Sequence, residues 1–247
     1  MLQRFRTLKG VVASLRTYYG RREHRVGLDR LYGRFVRSGD LVFDVGAHVG
    51  DRVGAFRRLG ARVVAVEPQP QLVKVLALLY GRDRAVTIEP VVIGRTDGFA
   101  EMLINHANPT VSTASADFVA AAAGAPGWEQ ETWTERLEIT MTTLDALIAR
   151  HGVPAFIKID VEGFEAEALA GLSAPVAALS FEFTTIQRDV AVAALERCAA
   201  LGYQKFDASL GESHAFVHGA WQTAEQMKVW IAGLPQEANS GDVYAIR

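Results

Sequence analysis

The sequence predicts an α/β fold, a mostly parallel sheet with helices on both faces, and three observations carry that expectation. Short runs such as Leu41–Val45, Arg62–Val66 and Phe156–Asp160 are almost continuously apolar, as strands buried on both faces must be. Helical stretches over Val49–Leu59, Pro70–Tyr80, Glu165–Leu172 and Val190–Leu201 alternate with such runs. A turn punctuated by Gly46 and Gly50 follows the first strand, so the functional edge is expected at the carboxyl ends of the strands.

The remaining elements follow the same logic. Val86–Ile93 and Phe99–Ile104 are rich in β-formers and predicted to be extended. Ala177–Phe183, Tyr203–Asp207 and Asp242–Ile246 complete the series of strands. Two segments lack clear periodicity. Residues 105–136 are polar and rich in small residues, with Trp128 and Trp133 close together, as expected of a lid or substrate-binding insertion. Residues 211–240 form an excursion between the last two strands. No repeat or linker divides residues 41–247, which are expected to form one domain.

Residues 1–40 differ in charge and are expected to form a basic helical extension. They carry a net +7, which leaves −9 for the rest of a chain whose total is −2. Leu2, Phe5, Leu8, Val12 and Leu15 recur at helical spacing, so residues 2–19 are predicted to form an amphipathic helix. That helix is expected to lie on the domain with its basic face in water, or to bury its apolar stripe in a homodimer. A peripheral contact with an anionic membrane surface is the alternative; little binding to nucleic acid is expected.

Composition sets the outer bounds. A chain of 247 residues, 49% hydrophobic and 22% charged, excludes long disorder and collagen-like sequence. The single cysteine, Cys198, excludes an intramolecular disulfide and a Cys-based zinc cage, and suits a reducing compartment. No run approaches the ~18 apolar residues of a membrane span, and no secretory signal is visible. A cytoplasmic protein is expected.

The chemistry concentrates at the first turn, Asp44-Val45-Gly46-Ala47-His48-Val49-Gly50. Glycine there allows a sharp turn and the close approach of a ligand. Glu67, followed by Pro68, ends the second strand, where a carboxylate can accept hydrogen bonds from both hydroxyls of a ribose. A nucleoside-containing ligand is therefore expected. The spacing D-x-G-x-x-x-G departs from the dinucleotide pattern G-x-G-x-x-G, and Asp44 would repel a pyrophosphate. An acid suits a cationic ligand instead, such as the amino group of the methionyl part of S-adenosylmethionine.

A second block sharpens the reading: Thr143-Leu144-Asp145 opens a helix, and Ile157-Lys158-Ile159-Asp160-Val161-Glu162-Gly163-Phe164-Glu165 ends a strand. With the first turn and the Glu67-Pro68 pair, it closely resembles the FkbM family of S-adenosylmethionine-dependent methyltransferases from about Leu41 to Arg247. The resemblance implies a class I methyltransferase fold: a Rossmann-like, seven-stranded, mostly parallel sheet with an antiparallel last strand. It also implies a cofactor site at Asp44, Gly46, Ala47, His48, Gly50, Glu67, Pro68 and Asp160. His48 stands where the family usually has Asn, and Glu89-Pro90 replaces a polar residue of the adenine contact, leaving Asp83 and Glu89 as guesses. Asn108, Ser112 and Ser115 echo a polar stretch of the family or serve the loop itself.

The implied reaction is O-methylation of a sugar, polysaccharide or secondary metabolite. A hydroxyl nucleophile must lose its proton, and Asp160, Glu162 and Glu182 are the expected bases at strand ends. The same carboxylates could hold Mg²⁺. Alternatively, Glu162 caps the next helix and Glu182 pairs with Lys158 or Arg188. No metal ligand is assigned elsewhere, since His106, His151, His214 and His218 show no metal spacing on one helix. Trp128 and Trp133 either stack on a sugar or pin the insertion. The competing functions are a cofactor-binding module without catalysis, docked through its basic helix, and a nicotinamide-dependent oxidoreductase, which Asp44 disfavours.

Overall fold

The structure, a computed structural model, describes residues 2–20 and 22–247, with side chains from residue 10 onward. Two helices, α1 (Leu2–Tyr19) and α2 (Arg22–Tyr32), precede the sheet. The side chains of Leu2, Phe5 and Leu8 lie outside the described residues. Beyond them the packed face of α1 runs through Val11 and Leu15, against Val49 and Leu72, while Val12 is 38% exposed. Arg16, Arg22, Arg25 and Arg30 are exposed, so both helices lie on the domain with these charges in water.

Next come β1 (Leu41–Val45), α3 (Asp51–Arg58), β2 (Arg62–Val66), α4 (Pro70–Tyr80) and β3 (Val86–Glu89). β4 (Val92–Ile93) and β5 (Gly98–Ile104) follow. The stretch expected to be extended over Val86–Ile93 is therefore two strands, in two different sheets. Pro90 offers no N–H to continue the first ladder, and the chain leaves the main sheet there.

The insertion holds α5 (Ala116–Ala122), capped by Ser115, whose hydroxyl accepts from the Phe118 N–H at 3.0 Å. It runs into β6 (Glu135–Thr142). No strand was expected there, although Leu137, Ile139 and Met141 alternate with Arg136, Glu138 and Thr140, the period of a half-buried strand. α6 (Leu144–His151) starts at Thr143, whose hydroxyl accepts from the Ala146 N–H at 3.0 Å. Then come β7 (Phe156–Ile159), α7 (Glu165–Ala170), β8 (Ala178–Thr184), α8 (Arg188–Ala200) and β9 (Lys205–Leu210). The last excursion holds α9 (Ala224–Gly233), closed by a capping box between Thr223 and Gln226, before β10 (Ser240–Ile246).

The main sheet has seven strands in the order β3-β2-β1-β7-β8-β10-β9. All neighbours pair in parallel except β10, which is antiparallel to both β8 and β9. A separate three-stranded sheet, β4-β6-β5, carries the insertion. Successive strand residues alternate between two cores: Leu41, Phe43 and Val45 pack with α6, α7, α8 and α9, whereas Val42 packs with α2, α3 and α4. Burying each such Val, Leu or Phe contributes roughly 1.5–3 kcal/mol. Both faces of the sheet are thus closed, and the open place is its edge, at the strand ends.

Candidate active site

A cavity of about 260 Å³ opens at the carboxyl ends of β1, β2, β7 and β8. The first residues of β10, Ser240 to Asp242, join its wall because that strand runs the other way. Gly46, Ala47, His48, Glu67, Pro68, Asp160, Glu162 and Glu182 of the expected site residues all line it. Asp44 and Gly50 are not among the lining residues.

The β1–β2 side is built from backbone. Gly46 has φ +83°, and a Cβ there would stand only 1.7 Å from the Asp160 carbonyl oxygen. Glycine is needed at 46 so that the ends of β1 and β7 can meet, whatever ligand approaches. At Gly50 (φ +81°) a Cβ would meet Leu76 and Tyr80, each at 2.7 Å, so this glycine seats α3 against α4. Asp44 lies beneath the floor, in register with Lys158 and fully buried, and burial pushes its carboxyl up to about 7. Neither carboxyl oxygen has a hydrogen-bond partner among the described residues.

Glu67 is 2% exposed, and its carboxylate is fixed by two backbone donors: His48 N–H at 2.9 Å and Gln69 N–H at 2.8 Å. Burial raises its pKa to about 7 although these bonds oppose the shift. His48 holds the turn in a left-handed conformation (φ 48°), where Asn is also tolerated. Its ring, Nε2 3.4 Å from Thr110 Oγ1 of the insertion, is kept neutral by burial, with a pKa lowered to about 4.

The β7–β8 side is built from charges. Lys158, 2% exposed, donates to Asp160 Oδ2 at 2.5 Å. Burial opposes charge on both, yet each holds the other ionised: Asp160 is shifted below the usual carboxylate range. Glu182 and Glu162 are pushed well above theirs, by burial first and by the Asp160 charge second. The arrangement is thus one ionised carboxylate paired with one ammonium, whose negative charge keeps the two neighbouring carboxyls protonated. Lys158 thus pairs with Asp160 and not with Glu182, and Arg188 donates to the Leu234 carbonyl at 2.8 Å. Glu162 does not cap α7, which has no side-chain cap; Glu165 instead fixes the turn before it, accepting from Val161 N–H at 2.9 Å and from Gly163 N–H. The ligand atoms of Asp160, Glu162 and Glu182 lie within 4.8 Å of one another.

Five further wall residues, Asp242, Asp51, Arg52, Tyr18 and Glu212, had no signal in the sequence. Asp242, opposite Glu182 on β10, is raised to about 6 by burial. Asp51 and Arg52, at the start of α3, join Tyr18 of α1 and Glu212 after β9. From the insertion, Thr110, Ser112 and Trp128 reach the cavity, while Trp133 donates to the Val111 carbonyl at 2.8 Å and pins the loop. Asn108 is held by Glu131, and Ser112 accepts from the Asn105 N–H. Asp83 pairs with Arg57, and Glu89 with Arg150 and His151; neither guess for the adenine contact lines the cavity.

A doubly covered parallel sheet with an antiparallel last strand, and a cavity at its carboxyl edge, is the architecture of a class I methyltransferase. The Methyltransferase FkbM domain matches residues 44–208, and the chain belongs to that family of S-adenosylmethionine-dependent methyltransferases. No curated protein matches it in sequence. Among solved structures it is similar to precorrin-6y C5,15-methyltransferase from Geobacter metallireducens, at 15% identity and TM-score 0.44, covering 91% of this chain and 87% of that one. It is also similar to an O-methyltransferase from Bacillus cereus in complex with SAH, at 10% identity and TM-score 0.46, covering 98% and 90%. The family assignment rests on the domain match.

Proposed function

We propose that the protein methylates a hydroxyl group, on a sugar, polysaccharide or secondary metabolite, and that the observation carrying this is the Lys158–Asp160–Glu182 arrangement on the cavity wall. S-adenosylmethionine, when bound, supplies an electrophilic methyl group on a sulfonium. The residues present fit it. Glu67 has its plane fixed by two N–H groups and keeps lone pairs for a ribose diol. Gly46 and Ala47 offer a wall without bulky side chains, and Pro68 lies beside them. His48 contributes a neutral ring, and Asp44 an acid under the floor with no hydrogen-bond partner among the described residues.

A hydroxyl becomes acidic only as its new bond forms, so it needs an acceptor in place before that point. Asp160 is ionised, and Lys158 orients one of its oxygens at 2.5 Å. The proton from the hydroxyl passes to the Asp160 carboxylate, while protonated Glu182 and Glu162 add no further negative charge. Mg²⁺ would find oxygen ligands here, but Lys158 already supplies a cation to the same carboxylate.

The test is a panel of hydroxyl, amine and thiol acceptors, read by release of S-adenosylhomocysteine and by NMR of the product. Turnover with hydroxyl acceptors, persisting in EDTA, is expected. Transfer to nitrogen, sulfur or carbon alone would overturn the reading, and absence of transfer with intact cofactor binding would favour a binding module.

A further inference from the structure

A second cluster of titratable side chains sits at the rim of the cavity, away from the strand-end carboxylates. His24 of α2 meets Glu212 and His214 of the loop after β9, 190 residues away in sequence from one histidine to the other. Three atoms face one another. His24 Nδ1 and His214 Nε2 are 3.0 Å apart; Glu212 Oε2 lies 3.7 Å from the first and 3.5 Å from the second. A tetrahedral Zn²⁺ with bonds of about 2.0–2.2 Å spaces its ligand atoms by roughly 3.3–3.6 Å. The triangle is close to one face of that tetrahedron.

The surroundings match as well. The other nitrogen of His24, Nε2, is 3.2 Å from Asp51 Oδ2, so it carries the proton and leaves the Nδ1 lone pair facing Glu212 and His214. A carboxylate behind a histidine is the usual outer partner of a metal-ligating ring. The two rings are 9% and 7% exposed at the side chain, whereas Glu212 is 45% exposed and gives an ion access. Gly27 of α2 makes room for the second ring, since a Cβ there would stand 2.7 Å from His214 Cδ2. Arg52 Nη2 binds both oxygens of Glu212, at 2.8 and 3.0 Å. Its single positive charge is outweighed by Glu212 and Asp51 together.

We infer that His24, Glu212 and His214 form a site for a Zn²⁺-type divalent cation, which clamps α2 to the loop after β9 at the rim of the cavity. Two histidines and one carboxylate form a borderline donor set that suits such an ion over Mg²⁺ or Ca²⁺. On binding, the proton that His214 now donates to His24 moves to His214 Nδ1, and no net charge is lost from the rings. Asp51, Arg52 and Glu212 also line the cavity, so the clamp would fix part of its wall.

The experiment uses tag-free, EDTA-treated full-length protein, titrated with Zn²⁺ against a chromophoric chelator and with Co²⁺ by visible absorption. One equivalent of each is expected, with the strong ligand-field bands of a tetrahedral Co²⁺ site. His214→Ala should weaken binding by more than about 100-fold, and Asp51→Asn by the ~10–100-fold that loss of an outer partner costs. His24→Gln, which keeps a donor to Asp51, serves as the second ligand variant, and circular dichroism verifies folding of each. The paired variant Glu162→Gln/Glu182→Gln should keep the Zn²⁺ stoichiometry. Binding that survives both histidine variants, or that vanishes with the paired glutamate variant alone, would overturn the site, as would failure of the wild type to bind either ion.

Discussion

The two sides of the cavity hold carboxylates by different means. On the β1–β2 side, Glu67 is gripped by backbone N–H groups that belong to the turn itself, so its orientation is part of the chain path. On the β7–β8 side, Lys158 holds Asp160, and the Asp160 charge keeps Glu162 and Glu182 protonated, so the protonation of the three is linked. Backbone donors suit recognition, because they cannot move away from a ligand. Linked carboxyls suit acid–base work, because a small change nearby redistributes their protons. One cavity thus separates grip from proton handling across the boundary between β1 and β7.

Breaking the second side should cost most. Asp160→Asn removes the proton acceptor and strands a buried Lys158 ammonium. Turnover is expected to fall by about 10²–10⁴-fold, and urea unfolding should show a loss of about 3–5 kcal/mol. Near-normal turnover in a folded Asp160→Asn protein would remove the distinction between the two sides.

Breaking the first side should act on binding. Glu67→Gln is expected to weaken S-adenosylmethionine affinity by about 10–100-fold in calorimetry, the range of a lost charge-assisted bond of about 1.5–3 kcal/mol. Turnover at saturating cofactor should change far less than in Asp160→Asn. A reversed pattern would exchange the roles of the two sides.

The smallest effect sharpens the comparison through pH. Free Glu67 titrates near 7, and a diol donating to it favours the ionised form. Cofactor affinity should therefore be full above pH 7 and decline as pH falls through 7, by at most about tenfold per unit. Asp44 also titrates near 7 beneath the same floor, so the profile of Asp44→Asn identifies its share. A profile that is flat in wild type, or unchanged in Glu67→Gln, would reject the assignment.

The sequence determined a good deal by itself. The bounds of β1, β2 and α4 follow from the apolar runs and from Pro70, because burial on both faces and helix starts leave local marks. The glycine turn, Glu67 and the Ile157–Glu165 block were legible for the same reason: a turn needing positive φ or a strand-end acid is written in adjacent residues. Less was visible where the marks are weak. The Leu137, Ile139 and Met141 alternation of β6 is hidden at the end of a polar insertion, and α5 and α9 were not anticipated. Asp44 and Gly50 carried the right signal for a site, yet one serves beneath the floor and the other seats a helix. Tertiary structure alone decided that Asp242 faces Glu182, that Lys158 takes Asp160, and that His24 meets His214. Those pairings depend on strand order and on where loops return. Strand order is set by how the two cores pack around the sheet, which residues distant in the chain settle together.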